Sequence, residues 1–142
     1  MEIATTGPLA GTIPASAPRI WTGRIITAVS VLFLLLDAGN HLMKTPPVVE
    51  AFVRLGVPVG LAGPIGALEI ACLVVYLVPR TALLGAILLT GYLGGAVAIQ
   101  LRAGSPLFAE TLFPVYFGAL VWVGLLLRRP RLWAVLTAPR RD

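Results

Sequence analysis

Four long apolar runs occupy most of this 142-residue chain. They cover about residues 20–41, 58–78, 81–101 and 108–127, and a helix needs roughly 20 apolar residues to cross the hydrocarbon core of a bilayer. The chain is 58% hydrophobic and only 12% charged, whereas about 25% of the residues in a soluble domain are charged. The sequence therefore predicts an all-α fold, an integral membrane four-helix bundle.

The predicted transmembrane domain, residues 19–128, lies between two polar ends. Residues 1–18 are rich in Pro, Thr, Ala and Gly, which is typical of a flexible tail. Residues 129–142 are predicted to form a basic tail with a short interfacial segment, and a short amphipathic helix is predicted at 48–55 in the first long loop.

The basic residues predict an orientation. Four spans place both chain ends on one side of the membrane, and that side collects eight of the eleven Lys and Arg residues. The eight are Arg19, Arg24, Arg80, Arg128, Arg129, Arg131, Arg140 and Arg141. The positive-inside rule therefore predicts an N-in/C-in topology, with both termini in the cytoplasm.

Composition also excludes several classes of function. The net charge of +5 does not indicate nucleic-acid binding, because most basic residues stand at the ends of apolar runs. The single cysteine, Cys72, excludes an intrachain disulfide and a CxxC redox pair. The single histidine, His41, excludes bis-His haem ligation and a multi-His metal site within one chain. We therefore expect no metal site and no covalently bound cofactor.

Glu69 is the sharpest polar feature, because it lies near the middle of the second apolar run. A charged carboxylate at that depth costs about 2.5–3.5 kcal/mol on insertion scales. Three explanations stay open: a protonated carboxyl that holds helices together, a pair with a polar group on a neighbouring helix, and a proton carrier or ligand contact in a cavity. Helical spacing places Cys72 and Tyr76 on the same face, which makes Tyr76 a candidate ligand-pocket residue. The alternative explanations are a small packing residue for Cys72 and an interfacial aromatic for Tyr76.

A second polar set lies at the end of the first run. Asp37 and His41 are four residues apart, so their side chains can touch. Such a pair can move a proton or bind a quinone carbonyl, and an ordinary solvated helix end explains it equally well. The predicted topology brings one polar basin together, with Glu69 as its floor. Its members are Asp37, Asn40, His41, Gln100, Arg102 and Glu110.

Gly91 and Gly95 form a GxxxG pattern in the third run. Small residues at this spacing let a second helix approach closely. The pattern is compatible with tight packing inside the bundle and with a homodimer, and the sequence does not choose between them.

Several stretches, taken together in their order, resemble the DoxX-like family of small four-helix bacterial membrane proteins. The stretches are Leu-Leu-Leu-Asp at 34–37, Pro-Val-Val-Glu-Ala-Phe at 47–52, Leu-Gly-Val-Pro at 55–58, Gly-Ala-Leu-Glu at 66–69, Tyr-Leu-Val-Pro-Arg-Thr at 76–81 and Gly-Ala-Ile-Leu-Leu-Thr-Gly-Tyr-Leu-Gly-Gly-Ala-Val-Ala at 85–98. The resemblance runs from about Trp21 to Leu132.

The resemblance implies a multi-pass protein of the bacterial inner membrane, similar to subunits of thiosulfate–quinone oxidation and of other membrane redox complexes. It also implies that Asp37 and Glu69 are site positions. His41 and Gln100 stand where the resemblance leads us to expect a lysine and a histidine, so an activity that needs those side chains is not expected here.

Three functions follow as hypotheses. The favoured one is an accessory or quinone-contacting subunit of a membrane oxidoreductase, which requires a redox-enzyme partner. The second is a membrane-embedded enzyme that uses Asp37, His41 and Glu69 as general acid and base on a hydrophobic substrate. The third is a small proton-coupled transporter, in which a buried carboxyl exchanges a proton for a ligand. The expected partners are membrane lipid, the redox enzyme and a second copy of the chain through Gly91 and Gly95.

Overall fold

The computed structural model describes the backbone of residues 17–137 and the side chains of residues 17–133. No strand occurs in this described part of the chain. Four helical segments are long and apolar enough to cross a membrane: Ala17–Met43, Val59–Leu77, Ala82–Arg102 and Leu107–Arg128. The prediction of an all-α fold with four spans is therefore confirmed.

Six α-helices follow one another along residues 17–137. They are α1 (Ala17–Met43), α2 (Pro46–Arg54), α3 (Ala62–Leu77), α4 (Ala82–Arg102), α5 (Phe113–Arg128) and α6 (Pro130–Thr137). A 3₁₀ turn, Val59–Leu61, leads into α3, and a single π-helical turn, Leu107–Thr111, leads into α5.

The structure describes only part of the two predicted tails, residues 1–18 and 129–142. Helix α1 begins at Ala17, so the last two residues of the predicted flexible tail belong to a helix. The remainder of that tail, residues 1–16, lies outside the described residues, as do residues 138–142 of the predicted basic tail. The short helix predicted at 48–55 is present as α2, which begins two residues earlier.

Helices α1, α2 and α4 all end in the same backbone motif. After each last turn one residue takes a positive φ: Lys44 (49°), Gly56 (65°) and Gly104 (67°). In each case the N–H groups of that residue and of the residue after it donate to carbonyls of the last turn. At the end of α4, Gly104 donates to Leu101 and Ser105 donates to Gln100, both at 3.1 Å. These Schellman closures satisfy carbonyls that a helix end would otherwise leave unpaired. We call this end of the bundle, where α1 and α4 finish and α3 and α5 begin, the α2 end.

The four spans form a closed ring in the order α1, α3, α4, α5, with each helix packed on two antiparallel neighbours. Glycines mark the closest approaches. A Cβ at Gly66 would lie 2.8 Å from the carbonyl oxygen of Ala38, and a Cβ at Gly85 would collide with the backbone of Tyr76. By contrast, a Cβ at Gly91 or Gly95 would meet nothing within 4 Å. The GxxxG pair therefore makes no close helix contact within the described chain, and the homodimer stays a prediction.

The outer surface of the ring is apolar. Along α1, a stripe of large side chains at helical spacing is more than half exposed. The stripe consists of Trp21, Ile25, Val29, Leu32 and Leu36. Such a continuous apolar face is unfavourable in water and matches the hydrocarbon of a bilayer.

Candidate functional site

Asp37, His41 and Glu69 meet inside the bundle near the α2 end. Helix α1 supplies Asp37 and His41, which lie one turn apart, and α3 supplies Glu69. One donor atom from each of the three side chains lies within 4.8 Å of the other two. The absence of a side chain at Gly66, one turn before Glu69, lets α3 approach α1 this closely, because a Cβ there would lie 2.9 Å from the Cβ of His41.

The carboxyl group of Glu69 is fully buried. Its Oε2 accepts a hydrogen bond of 2.9 Å from the hydroxyl of Tyr92 on α4. Its Oε1 has no hydrogen-bond partner among the described residues. One oxygen is therefore held in place by a neighbouring helix, and the other is free to bind a ligand group.

Tyr92 was not singled out from the sequence. A signal was present, since a tyrosine hydroxyl in the middle of a span normally needs a polar partner. The sequence does not say that this partner is Glu69, which lies 23 residues earlier.

The histidine ring is oriented by the backbone. His41 Nδ1 lies 2.9 Å from the backbone carbonyl oxygen of Asp37 and 3.6 Å from that residue's carboxylate. Because a carbonyl can only accept, Nδ1 carries a proton in this arrangement. Asp37 and His41 are neighbours, as expected from their spacing, and the imidazole makes its hydrogen bond to the backbone carbonyl of Asp37 instead of its carboxylate.

A cavity of about 890 Å³ adjoins these residues and is lined by all four spans together with α2. Binding pockets for small molecules typically occupy 300–1,000 Å³. The polar part of the lining consists mainly of Asp37, Asn40, His41, Gln100 and Glu110, which are five of the six residues predicted to converge. Glu69 has no exposed surface and is not a lining residue, so it stands behind the cavity wall where the sequence argument expected a floor.

One wall of the cavity is aromatic. Phe33 on α1 stacks on Phe117 on α5, with ring centroids 4.1 Å apart and planes 18° apart. Phe113 meets the edge of Phe33 at 5.5 Å, and all three rings line the cavity. Flat aromatic walls favour ligands that carry a ring of their own.

Helix α2 is fixed over the α2 end by two contacts. Arg54 donates to the Glu110 carboxylate at 2.8 Å, and this hydrogen bond raises the pKa of Arg54. Arg102 donates to the backbone carbonyl of Leu55 at 2.9 Å and does not line the cavity. Phe52 of α2 also places its ring at 5.6 Å from the His41 ring, so α2 covers the polar end of the cavity.

Tyr76 lies apart from these residues. It is fully buried, and its hydroxyl donates to the backbone carbonyl of Val121 on α5 at 2.9 Å. Tyr76 does not line the cavity, although the sequence placed it on the same helical face as Glu69. Seven residues of α-helix separate the two by about 10 Å along the axis, which is enough to move Tyr76 out of the site.

Among known proteins, the DoxX-like family matches residues 25–124 of this chain. No match is found among curated proteins or among solved structures. The matched segment contains Asp37, His41, Glu69 and Tyr92, and it extends from α1 into α5. Since the match covers well over half of the sequence, the chain belongs to the DoxX-like family, as its motifs predicted.

Proposed function

We propose that this chain is a quinone-contacting subunit of a membrane oxidoreductase system, and that the cavity between its four spans holds the quinone. The observation that carries the proposal is the cavity itself, about 890 Å³ with a stacked aromatic wall at one side and amide, imidazole and carboxyl groups at the other. A quinone has the same two parts, a flat ring and carbonyl oxygens that need hydrogen-bond donors.

The lining supplies partners for each part of such a ligand. The quinone ring lies against Phe33 and Phe117, where offset stacking is favourable. The side-chain amides of Asn40 and Gln100 line the cavity and offer N–H donors to the carbonyl oxygens. Leu68 and Ile87, on α3 and α4, line the cavity and are 55% and 53% exposed, which suits an apolar tail that reaches toward lipid.

Reducing a quinone to a quinol takes two electrons and two protons. Asp37 and His41 line the cavity and are chemically suited to hand over protons. The chain has a single histidine and a single cysteine, which cannot supply bis-His haem ligation or the four protein ligands of an iron–sulfur cluster within one copy. In this proposal the electrons therefore come from a partner protein.

The proposed location is the bacterial inner membrane, with both termini in the cytoplasm. The support for this orientation is the concentration of arginines at the end of the bundle opposite α2, where α1 and α4 begin and α5 finishes. Cytoplasmic loops carry such an excess of basic residues.

A ligand titration with a matched pair of glycine variants tests the proposal. Gly91 lines the cavity and Gly94 does not, while a Cβ at either position meets nothing within 4 Å. Gly91→Leu should therefore fill the cavity without disturbing the helices. Gly94→Leu adds the same side chain outside the cavity.

The measurement is the binding of a short-chain ubiquinone or menaquinone analogue to the purified chain in lipid nanodiscs, followed by calorimetry. We expect saturable binding to the wild type and to Gly94→Leu, and binding at least about tenfold weaker, a loss of 1.4 kcal/mol, for Gly91→Leu. Equal binding by Gly91→Leu and the wild type, or no saturable binding to either, would overturn the proposal.

A second candidate is a membrane-embedded enzyme that acts on an apolar substrate. The observation that favours it is the meeting of Asp37, His41 and Glu69 within 4.8 Å. Asp37 and His41 line the cavity and can reach a substrate there, with Glu69 behind them as a further acid–base group. Turnover of a bound hydrophobic compound that disappears in Glu69→Gln, with binding retained, would select this candidate over a binding subunit.

A further inference from the structure

We propose that Asp37, His41 and Glu69 form a site for one divalent transition-metal ion of the Zn²⁺, Mn²⁺ or Fe²⁺ class. The site goes beyond the proposed quinone function, because its ligands and its test do not involve a quinone. With a metal bound, Asp37 and His41 act as ligands and no longer hand over protons themselves. It also departs from the expectation of no metal site. That expectation counted histidines and cysteines, whereas two carboxylates and one imidazole also make a ligand set.

The three side chains are already close to the spacing that a metal requires. Their donor atoms lie within 4.8 Å of one another. Donors bound at about 2.1 Å in a tetrahedral site stand roughly 3.4 Å apart. A bound metal would draw the three side chains together by rotation about their side-chain bonds, and the close approach of α1 and α3 at Gly66 already brings their helices into contact.

Two of the three ligands, His41 and Glu69, are oriented in the way that metal ligands usually are. A metal-bound histidine typically donates its other ring N–H to a carbonyl or carboxylate, and His41 Nδ1 makes this hydrogen bond to the Asp37 carbonyl. Tyr92 fixes one oxygen of Glu69 in the same manner. The other oxygen, Oε1, is buried without a hydrogen-bond partner among the described residues, and a buried polar atom without a partner is costly unless something binds it.

The charges in this region favour a cation. Asp37 and Glu69 are two carboxyl groups with no arginine or lysine paired to either among the described residues. The two arginines near the α2 end are used elsewhere, Arg54 on Glu110 and Arg102 on the Leu55 carbonyl. A divalent ion neutralises both carboxylates at once, which removes the main cost of burying that of Glu69.

The donor types narrow the choice of ion. Carboxylate oxygens with one imidazole nitrogen suit Zn²⁺, Mn²⁺ and Fe²⁺, and the set lacks the thiolate or thioether that selects Cu⁺. Three protein ligands leave at least one coordination position open, as in catalytic sites that bind a water or a substrate oxygen. Asp37 and His41 line the cavity, so an open position on their side admits a ligand oxygen.

Zinc binding to the purified, chelator-stripped chain tests the proposal without any quinone. The affinity is measured by competition with a chromophoric zinc chelator, and the stoichiometry by elemental analysis after gel filtration. We expect one Zn²⁺ per chain for the wild type and binding at least about 100-fold weaker for Glu69→Gln and for His41→Gln, since each lacks a ligand. Tyr92→Phe should weaken binding by about tenfold, because it only orients a ligand.

The matched control is Glu50→Gln, which removes an exposed carboxyl on α2 that is not part of the cluster. It should bind zinc like the wild type. Because a ligand variant can also fail through misfolding, each variant is compared by circular dichroism, and Asp37→Asn serves as an additional ligand substitution. Cobalt adds a direct readout, since the visible ligand-field bands of the Co²⁺ form should change in His41→Gln.

No saturable zinc binding by the folded wild type, or folded ligand variants that bind as tightly as the wild type, would overturn the metal site. The quinone proposal fails on different evidence. Gly91→Leu should lose quinone binding and keep zinc binding, so the two proposals can be rejected independently.

Discussion

Glu69 can occupy the middle of a span because its carboxyl group faces the bundle interior and has a partner. The side chain is fully buried, and Tyr92 donates to Oε2 across the contact between α3 and α4. A carboxyl group directed to lipid would have no such partner and would be far more costly.

Tyr92→Phe should destabilise the bundle by removing this donor. Hydrogen bonds between membrane helices contribute about 0.6 kcal/mol on average and up to about 1.7 kcal/mol, and we expect about 1 kcal/mol because Glu69 would lose its described partner. The measurement is the free energy of unfolding in lipid bicelles by steric trapping. Tyr116→Phe, at an exposed position on α5, is the control and should be neutral. If both variants lost the same free energy of unfolding, the Tyr92 hydroxyl would have no specific role.

For single residues, the sequence identifies the polar side chains that need an explanation, but it does not identify all of their partners. It placed Asp37, His41 and Glu69 together, because helical spacing and depth in the membrane can be read along the chain. It could not pair Tyr92 with Glu69, since that contact depends on how α3 and α4 are rotated about their axes. Arg102 was expected among the polar cavity residues, yet it donates to a backbone carbonyl, an acceptor that every residue offers.

Helices α3 and α4 meet closely at Gly85. Gly85→Ala would place a Cβ against the backbone of Tyr76, which cannot rotate away as a side chain could. Overpacking typically costs about 1–3 kcal/mol, and we expect the upper part of that range, seen as a lowered Tm in detergent. Gly91→Ala is the matched control on the same helix, because a Cβ there meets nothing within 4 Å. An unchanged Tm for Gly85→Ala would contradict the close crossing.

Helix α2 depends on the contacts that fix it to the bundle. Arg54→Ala removes the ion pair with Glu110 but leaves the spans intact, so we expect faster amide hydrogen exchange in α2 and unchanged exchange in α3. Both partners of the pair are partly exposed, so added salt should weaken it and reproduce part of the effect in the wild type. If neither Arg54→Ala nor added salt changes amide hydrogen exchange in α2, apolar packing alone holds this helix.

The existence of the helices could be predicted, but their arrangement could not. Run length predicted the four spans, and the amphipathic pattern at 48–55 predicted α2. The two prolines before that pattern were expected to break a helix, whereas α2 begins at Pro46, because proline is well tolerated in a first helical turn. The ring order α1, α3, α4, α5 had no comparable signal, because the spans are apolar on most of their faces and lack the polar side that orients a helix in a soluble protein. The GxxxG pattern illustrates this limit, since Gly91 and Gly95 border the cavity and closer helix contacts are made at Gly66 and Gly85.

At the scale of the whole molecule, the described residues form a ring of four spans whose outer surface is apolar and whose polar groups concentrate inside and at the two ends. We expect both termini on the cytoplasmic side, and single-cysteine labelling in intact cells checks this. In a Cys72→Ala background, Glu50→Cys on α2 should react with a membrane-impermeant maleimide from outside. Arg131→Cys on α6 should react only after the cells are permeabilised. The opposite pattern would reverse the proposed topology.

The central claim is that the cavity between the spans is a binding site, and photoaffinity labelling tests it most directly. The purified chain in nanodiscs is irradiated with an azido-quinone, and the modified residues are located by peptide mass spectrometry, with and without excess unmodified quinone. We predict labels on cavity residues such as Phe33, Gln100 and Phe117 that disappear under competition. Labels confined to the outward-facing stripe of α1, such as Ile25 and Val29, and insensitive to competition would contradict it.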